Sequence, residues 1–168
     1  MNKNLVLTGM MGVGKSTIGR LLAKKLKAKF IDVDKIIEKN EKMSIKKIFD
    51  YKGEKYFRKI EEKITYKVLK NKNAVIALGG GAFMNNEIRE KVLKSSLSVW
   101  LILSLNKLIV RYKRNNRRPL LNKKKLEVDV KKIYQSRKKI YSLANFKVSC
   151  DNVTKVQIVE KILVFYEN

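Results

Sequence analysis

Histidine is absent from this 168-residue sequence, and cysteine, proline and tryptophan occur once each, as Cys150, Pro119 and Trp100. Without an imidazole there is no histidine-based catalytic triad and no zinc site built on His ligands, and a single thiol cannot close an internal disulfide. Acidic residues are also scarce, 15 against 40 Lys and Arg, for a net charge of +25. No apolar run approaches the roughly 20 residues that span a bilayer. Met1-Asn2-Lys3-Asn4 leads straight into a strand-like stretch rather than a signal peptide. A soluble, cytoplasmic protein with no membrane partner is expected. Hydrophobic residues make up 45% of the chain, enough for a core, and the length fits one domain over residues 1–168.

A strongly basic chain raises nucleic-acid binding as a first idea. Here the distribution argues against it, because lysine is spread over every segment rather than gathered in one stripe. The excess reads as a solvated lysine-rich surface, without a nucleic-acid partner. The same charge steers small anions toward the protein.

Leu5-Val6-Leu7-Thr8, Lys29-Phe30-Ile31, Ala74 to Leu78, Leu97 to Leu103 and Phe146 to Cys150 read as five short buried strands. Helical spacing is predicted between them over Ser16 to Lys27, Val33 to Asn40, Ser44 to Asn71 with a break near Gly53, Glu87 to Leu93, Val128 to Ala144 and Val156 to Phe165. Strands alternating with helices imply an α/β fold, a five-stranded parallel sheet with helices on both faces. Its ligand site lies outside the carboxyl ends of the strands.

Gly9-Met10-Met11-Gly12-Val13-Gly14-Lys15-Ser16 fits G-x-x-x-x-G-K-[ST] and lies between a predicted strand and a predicted helix. Such a loop surrounds phosphates with backbone N–H groups, sends its lysine to the β- and γ-phosphates, and offers its hydroxyl to Mg²⁺. The nucleotide-binding set is therefore Gly12, Val13, Gly14, Lys15, Ser16 and Thr17, with Ser16 as a metal ligand. Asp32-Val33-Asp34 follows the second strand. One carboxylate near Mg²⁺ can hold the metal through water while the other orients a hydroxyl and takes its proton. An aspartate is also a favoured helix N-cap, so the pair alone leaves both readings open.

Between Arg111 and Lys125 eight of fifteen residues are basic and none acidic, so this stretch repels itself until an anion neutralises it, as a mobile lid would. Arg58 and Glu61 read on their own as a surface i,i+3 ion pair. Gly79-Gly80-Gly81 brings bare backbone to a strand end, for a ligand or merely for a turn.

Together the phosphate loop, Asp32-Val33-Asp34-Lys35, Met43-Ser44-Ile45 to Ile48-Phe49, Phe57-Arg58-x-x-Glu61, Gly79-Gly80-Gly81, Arg118-Pro119-Leu120-Leu121 and Arg137-x-x-x-Tyr141 resemble the shikimate kinase family in order and approximate spacing. The resemblance implies a three-layer P-loop kinase fold with a lid over about residues 111–125. It implies transfer of the γ-phosphoryl group of ATP to shikimate, with Mg²⁺, giving 3-phosphoshikimate on the way to chorismate and the aromatic amino acids. By the same resemblance Asp34 binds the ring hydroxyls and Asp32 lies near the metal. Arg58 and Arg137 hold the substrate carboxylate and Gly80 touches the substrate. Arg118 closes over the ATP phosphates as a catalytic group with Lys15 and Asp34, and Arg111 stacks on adenine. Arg117 has no counterpart in the motif. A monomer with ATP and shikimate as its only partners is expected. The alternative is another small-metabolite P-loop kinase, such as a gluconate kinase. Ala144 follows Tyr141 by three residues where the family has four.

Overall fold

The structure, a computed structural model, describes residues 3–113 and 125–167. Five strands, β1 (Asn4–Thr8), β2 (Lys29–Asp32), β3 (Ala74–Ala77), β4 (Ser96–Ile102) and β5 (Phe146–Ser149), form one sheet in the order β2-β3-β1-β4-β5. All four pairings are parallel. Burial follows position in the sheet. Leu5, Val6 and Leu7 of β1 and Val75 and Ile76 of β3 are fully covered, which explains their unbroken apolar runs, whereas the edge strands β2 and β5 alternate.

The helices are α1 (Lys15–Lys25), α2 (Val33–Glu41), α3 (Ile45–Leu69), α4 (Asn86–Ser95), α5 (Leu105–Lys113), α6 (Leu126–Tyr141) and α7 (Lys155–Glu167). The step from β1 to β2 runs one way along the sheet and the steps from β2 through β5 run the other. Right-handed crossovers therefore put α1 on the face opposite α4, with α7 packed beside α1. The direction reverses around β1, so the crevice for a ligand opens at its carboxyl end.

Three expectations change in detail. The segment read as a basic loop after β4 begins with the helix α5, in which Leu105, Leu108, Ile109 and Tyr112 recur at helical spacing. Leu108 and Tyr112 are buried while the basic residues face outward, so the charge masked the apolar stripe. Arg111 consequently sits in the last turn of a helix rather than in a lid beginning at residue 111. After β3 a turn of 3₁₀-helix, Ala82–Met84, carries the chain into α4. Finally, Ala144 is buried in a tight turn in which its N–H donates to the Tyr141 carbonyl at 3.1 Å, so the shorter spacing is absorbed beyond α6.

Candidate active site

The helices that border the site begin differently from one another. Asp32, Ser44 and Asn85 cap α2, α3 and α4, each side chain accepting from a backbone N–H of the first turn. Helix α1 begins at Gly14 with no side-chain cap and no acid in its first turn. Its first N–H groups and the positive end of its dipole are left to an anion. Gly12 and Gly14, at φ of 73° and 113°, make the turn into it. The Lys15 ammonium is buried against the loop and donates to the carbonyls of Gly9 at 2.8 Å and Met10 at 3.1 Å. Thr17, two residues on, is exposed on α1.

Asp32 both caps a helix and reaches the phosphate loop. Its Oδ1 accepts from the Lys35 N–H as the cap of α2, while its Oδ2 accepts from the Ser16 hydroxyl at 2.6 Å. Because β2 is separated from β1 only by β3, the end of β2 reaches the start of α1. Asp34, half-buried in the first turn of α2, lies instead over Gly79 at the end of β3. A Cβ at Gly79 would fall 2.8 Å from Asp34 Oδ1 and 2.1 Å from Glu61 Oε1, so a side chain there has no room.

The floor of this cup comes from α3. Arg58 Nη1 donates to Glu61 Oε2 at 2.7 Å, and its Nε and Nη2 donate to Glu54 at 3.2 and 2.9 Å. Phe49 and Phe57 lie within cation–π distance of the guanidinium. Glu61 is 2% exposed, and its Oε1 has no hydrogen-bond partner among the described residues. The pair is therefore partly buried, with Glu61 enclosed and Arg58 30% exposed, correcting its reading as a surface ion pair: α3 turns the Glu61 side of this face toward the sheet. Burial raises the Glu61 pKa above the usual carboxylate range, with Arg58, then Arg137 and Lys15, pulling the other way. At Arg58 burial lowers the pKa, but Glu61 and Glu54 more than offset it. From α6, Arg137 Nη1 donates to the Gly80 carbonyl at 2.9 Å, and the Tyr141 hydroxyl donates to the same oxygen. A Cβ at Gly80 would meet Met11 N at 3.0 Å, so the triple-glycine turn abuts the phosphate loop. Arg111 Nη1 donates to the Gly12 and Val13 carbonyls at 3.0 Å each. Arg117 and Arg118 lie outside the described residues.

A family model described as shikimate kinase matches residues 11–167. The chain belongs to the shikimate kinase family. A shikimate kinase of Sulfurihydrogenibium sp. is 44% identical over 161 residues, covering 96% of each chain. Among solved structures, a shikimate kinase from Acinetobacter baumannii in complex with shikimate superposes with a TM-score of 0.93 at 30% identity, over 98% of this chain and 93% of that one. A gluconokinase from Sinorhizobium meliloti, at 15% identity and a TM-score of 0.58, shares the fold alone.

Within this shikimate kinase fold Lys15, Ser16, Asp32, Asp34, Arg58, Gly80 and Arg137 gather at the carboxyl ends of β1, β2 and β3. From the sequence alone Glu61, Tyr112 and Tyr141 have no role of their own. Glu61 and Tyr141 were visible only as members of motifs. A signal existed, since Glu61 stands three residues from Arg58 and Tyr141 four from Arg137, spacings that share a helix face.

Proposed function

We infer that this protein phosphorylates shikimate at the expense of ATP. The observation that carries the reading is the convergence of an uncapped, lysine-bearing phosphate loop with a cup whose wall is Asp34 and whose cations are Arg58 and Arg137. In a chain of this family, that pairing suits a small hydroxylated carboxylate beside the γ-phosphate.

In this reading the backbone of Gly12 to Thr17 and the Lys15 ammonium hold the β- and γ-phosphates, while Arg111, anchored on the Gly12 and Val13 carbonyls, offers its planar face to adenine. Arg58 and Arg137 grip the substrate carboxylate, which suits a guanidinium because its planar fork donates two parallel hydrogen bonds. The Gly80 backbone lines the ring. Asp34 accepts hydrogen bonds from the ring hydroxyls and takes the proton of the attacking one. The new O–P bond forms as the bond between the γ-phosphorus and the β-phosphate oxygen breaks, releasing ADP. Arg118 supplies positive charge over the transferring group, an interaction that develops in the transition state. The Ser16 hydroxyl and Asp32 carboxylate, 2.6 Å apart, are hard oxygen donors that fit Mg²⁺, which takes few protein ligands and keeps waters and phosphate oxygens. They would hold it, and when bound it neutralises charge on the phosphates. Among the described residues no helix is long and apolar enough to cross a membrane. We place the enzyme's work in the cytoplasm, as a monomer acting on two small anions.

A coupled assay of ADP release across shikimate, quinate, gluconate and nucleoside monophosphates tests this. Shikimate is expected to be turned over well ahead of the rest, and faster turnover of gluconate would overturn the assignment.

A further inference from the structure

Two tyrosines stand behind the two halves of the site. Tyr112, in the last turn of α5, is 2% exposed and donates its hydroxyl to the Met11 carbonyl in the phosphate loop. Tyr141, at the end of α6, is 1% exposed and donates to the Gly80 carbonyl in the acceptor turn. Burial pushes the Tyr141 phenol up to about 12, so it remains a donor throughout the neutral range.

A planar trans peptide ties each carbonyl to the next residue's N–H, which points the opposite way. A donor that draws the Met11 oxygen outward therefore aims the Gly12 N–H inward. Arg111 extends the same action to the Gly12 and Val13 carbonyls, and so to the Gly14 N–H, while the Val13 N–H is tied within the loop to the Met10 carbonyl at 3.3 Å. One turn of α5 thus holds three successive carbonyls of the phosphate loop. On the acceptor side, Tyr141 and Arg137 together hold the Gly80 carbonyl, which fixes the peptide to Gly81, a residue whose Cβ would fall 2.4 Å from Arg58 Nη1.

We propose that Tyr112 and Tyr141 are positioning residues, Tyr112 for the nucleotide and Tyr141 for the acceptor, each orienting a site peptide by holding its carbonyl from behind. Tyr141 has a particular reason to exist. Arg137 also bonds the Gly80 carbonyl, and when its guanidinium turns to an anionic substrate the hydroxyl keeps that peptide in place. Trp100 stacks on Tyr141 with ring centroids 5.9 Å apart, bracing the phenol from the sheet.

This proposal rests on shikimate and ATP being the substrates, so the wild-type assay comes first: lack of turnover with shikimate would remove that reading without touching the hydrogen bonds. With an active wild type, Tyr112→Phe and Tyr141→Phe each delete one oxygen and leave the ring packing. Tyr112→Phe is expected to raise KM for ATP about fivefold, equivalent to about 1 kcal/mol, with KM for shikimate unchanged. Tyr141→Phe should do the reverse. Titrations that follow Trp100 fluorescence give the matching dissociation constants, and thermal melts record any change in stability. A purely structural role predicts a lower melting temperature with both KM values unmoved or moved together, and either result overturns the proposal.

Discussion

At the residue scale, the Arg58–Glu61 pair joins a proposed substrate contact to stability. Removing Arg58 deletes a proposed substrate contact and also strips a buried carboxylate of its cation, and for a pair this partly exposed the cost falls below the range of about 3 to 5 kcal/mol for breaking a fully buried one. Arg58→Ala is therefore expected to lower the melting temperature and to raise KM for shikimate, with KM for ATP little changed. Adding Glu61→Gln should restore most of the melting temperature and leave KM raised. Melts and steady-state kinetics on the single and double variants check this; joint recovery of stability and KM would assign Arg58 to the fold alone. Glu61 also predicts a pH dependence. Burial raises its pKa, so between the ordinary carboxylate value and the raised one the folded protein holds a proton that the unfolded chain has released. Stability contributed by this group falls as pH rises through that window, because there the folded state binds more protons than the unfolded state. Glu61→Gln cannot titrate, and melting temperatures from about pH 4 to about pH 7 should show wild type losing ground to it. An unchanged difference across that range would mean that the Glu61 pKa is not raised. In the sequence Arg58 and Glu61 had the form of an exposed ion pair. What the spacing could not convey is that Gly79, with no side chain, lets Glu61 and Asp34 close over the end of β3.

At the scale of elements, most of the fold was legible because central strands and amphipathic helices carry opposite periodicities, and the break in α3 was legible from glycine alone. Gly53 has φ 79° and ψ 167°, a conformation that is almost exclusive to glycine. A Cβ there would meet no heavy atom within 4 Å, so Gly53→Ala isolates the backbone cost from any clash. That cost should be about 1 to 3 kcal/mol, read from denaturant unfolding, and a variant as stable as wild type would show that the kink is not imposed by the fold. The element that escaped was α5. Its nine residues hold an apolar stripe of Leu105, Leu108, Ile109 and Tyr112, but its last turn carries Arg111 and Lys113 and runs into the basic stretch that follows, so a reading by charge extended the lid into it.

At the scale of the whole molecule, a charge of +25 has been separated from nucleic-acid recognition only by its even spread along the sequence. Non-specific attraction of this kind is counterion release, and it falls steeply with salt. Retention of DNA or RNA is expected to be gone by about 0.2 M salt in a filter-binding titration, while sequence-selective binding at that ionic strength would revive a nucleic-acid role.

The position of β1 also sets the order in which the molecule can be completed. Its residues are paired on one side with Val75 to Ala77 and on the other with Ser96 to Trp100. The phosphate loop precedes both partners of β1 in the chain, and the strand that steadies it acquires its second neighbour only once β4 is in place. Long-range parallel pairings of this sort form slowly, since the chain between them must be closed before they gain anything. Nucleotide affinity is consequently expected to appear late in folding, and the lone Trp100, paired to Thr8 across that junction, is placed to report it.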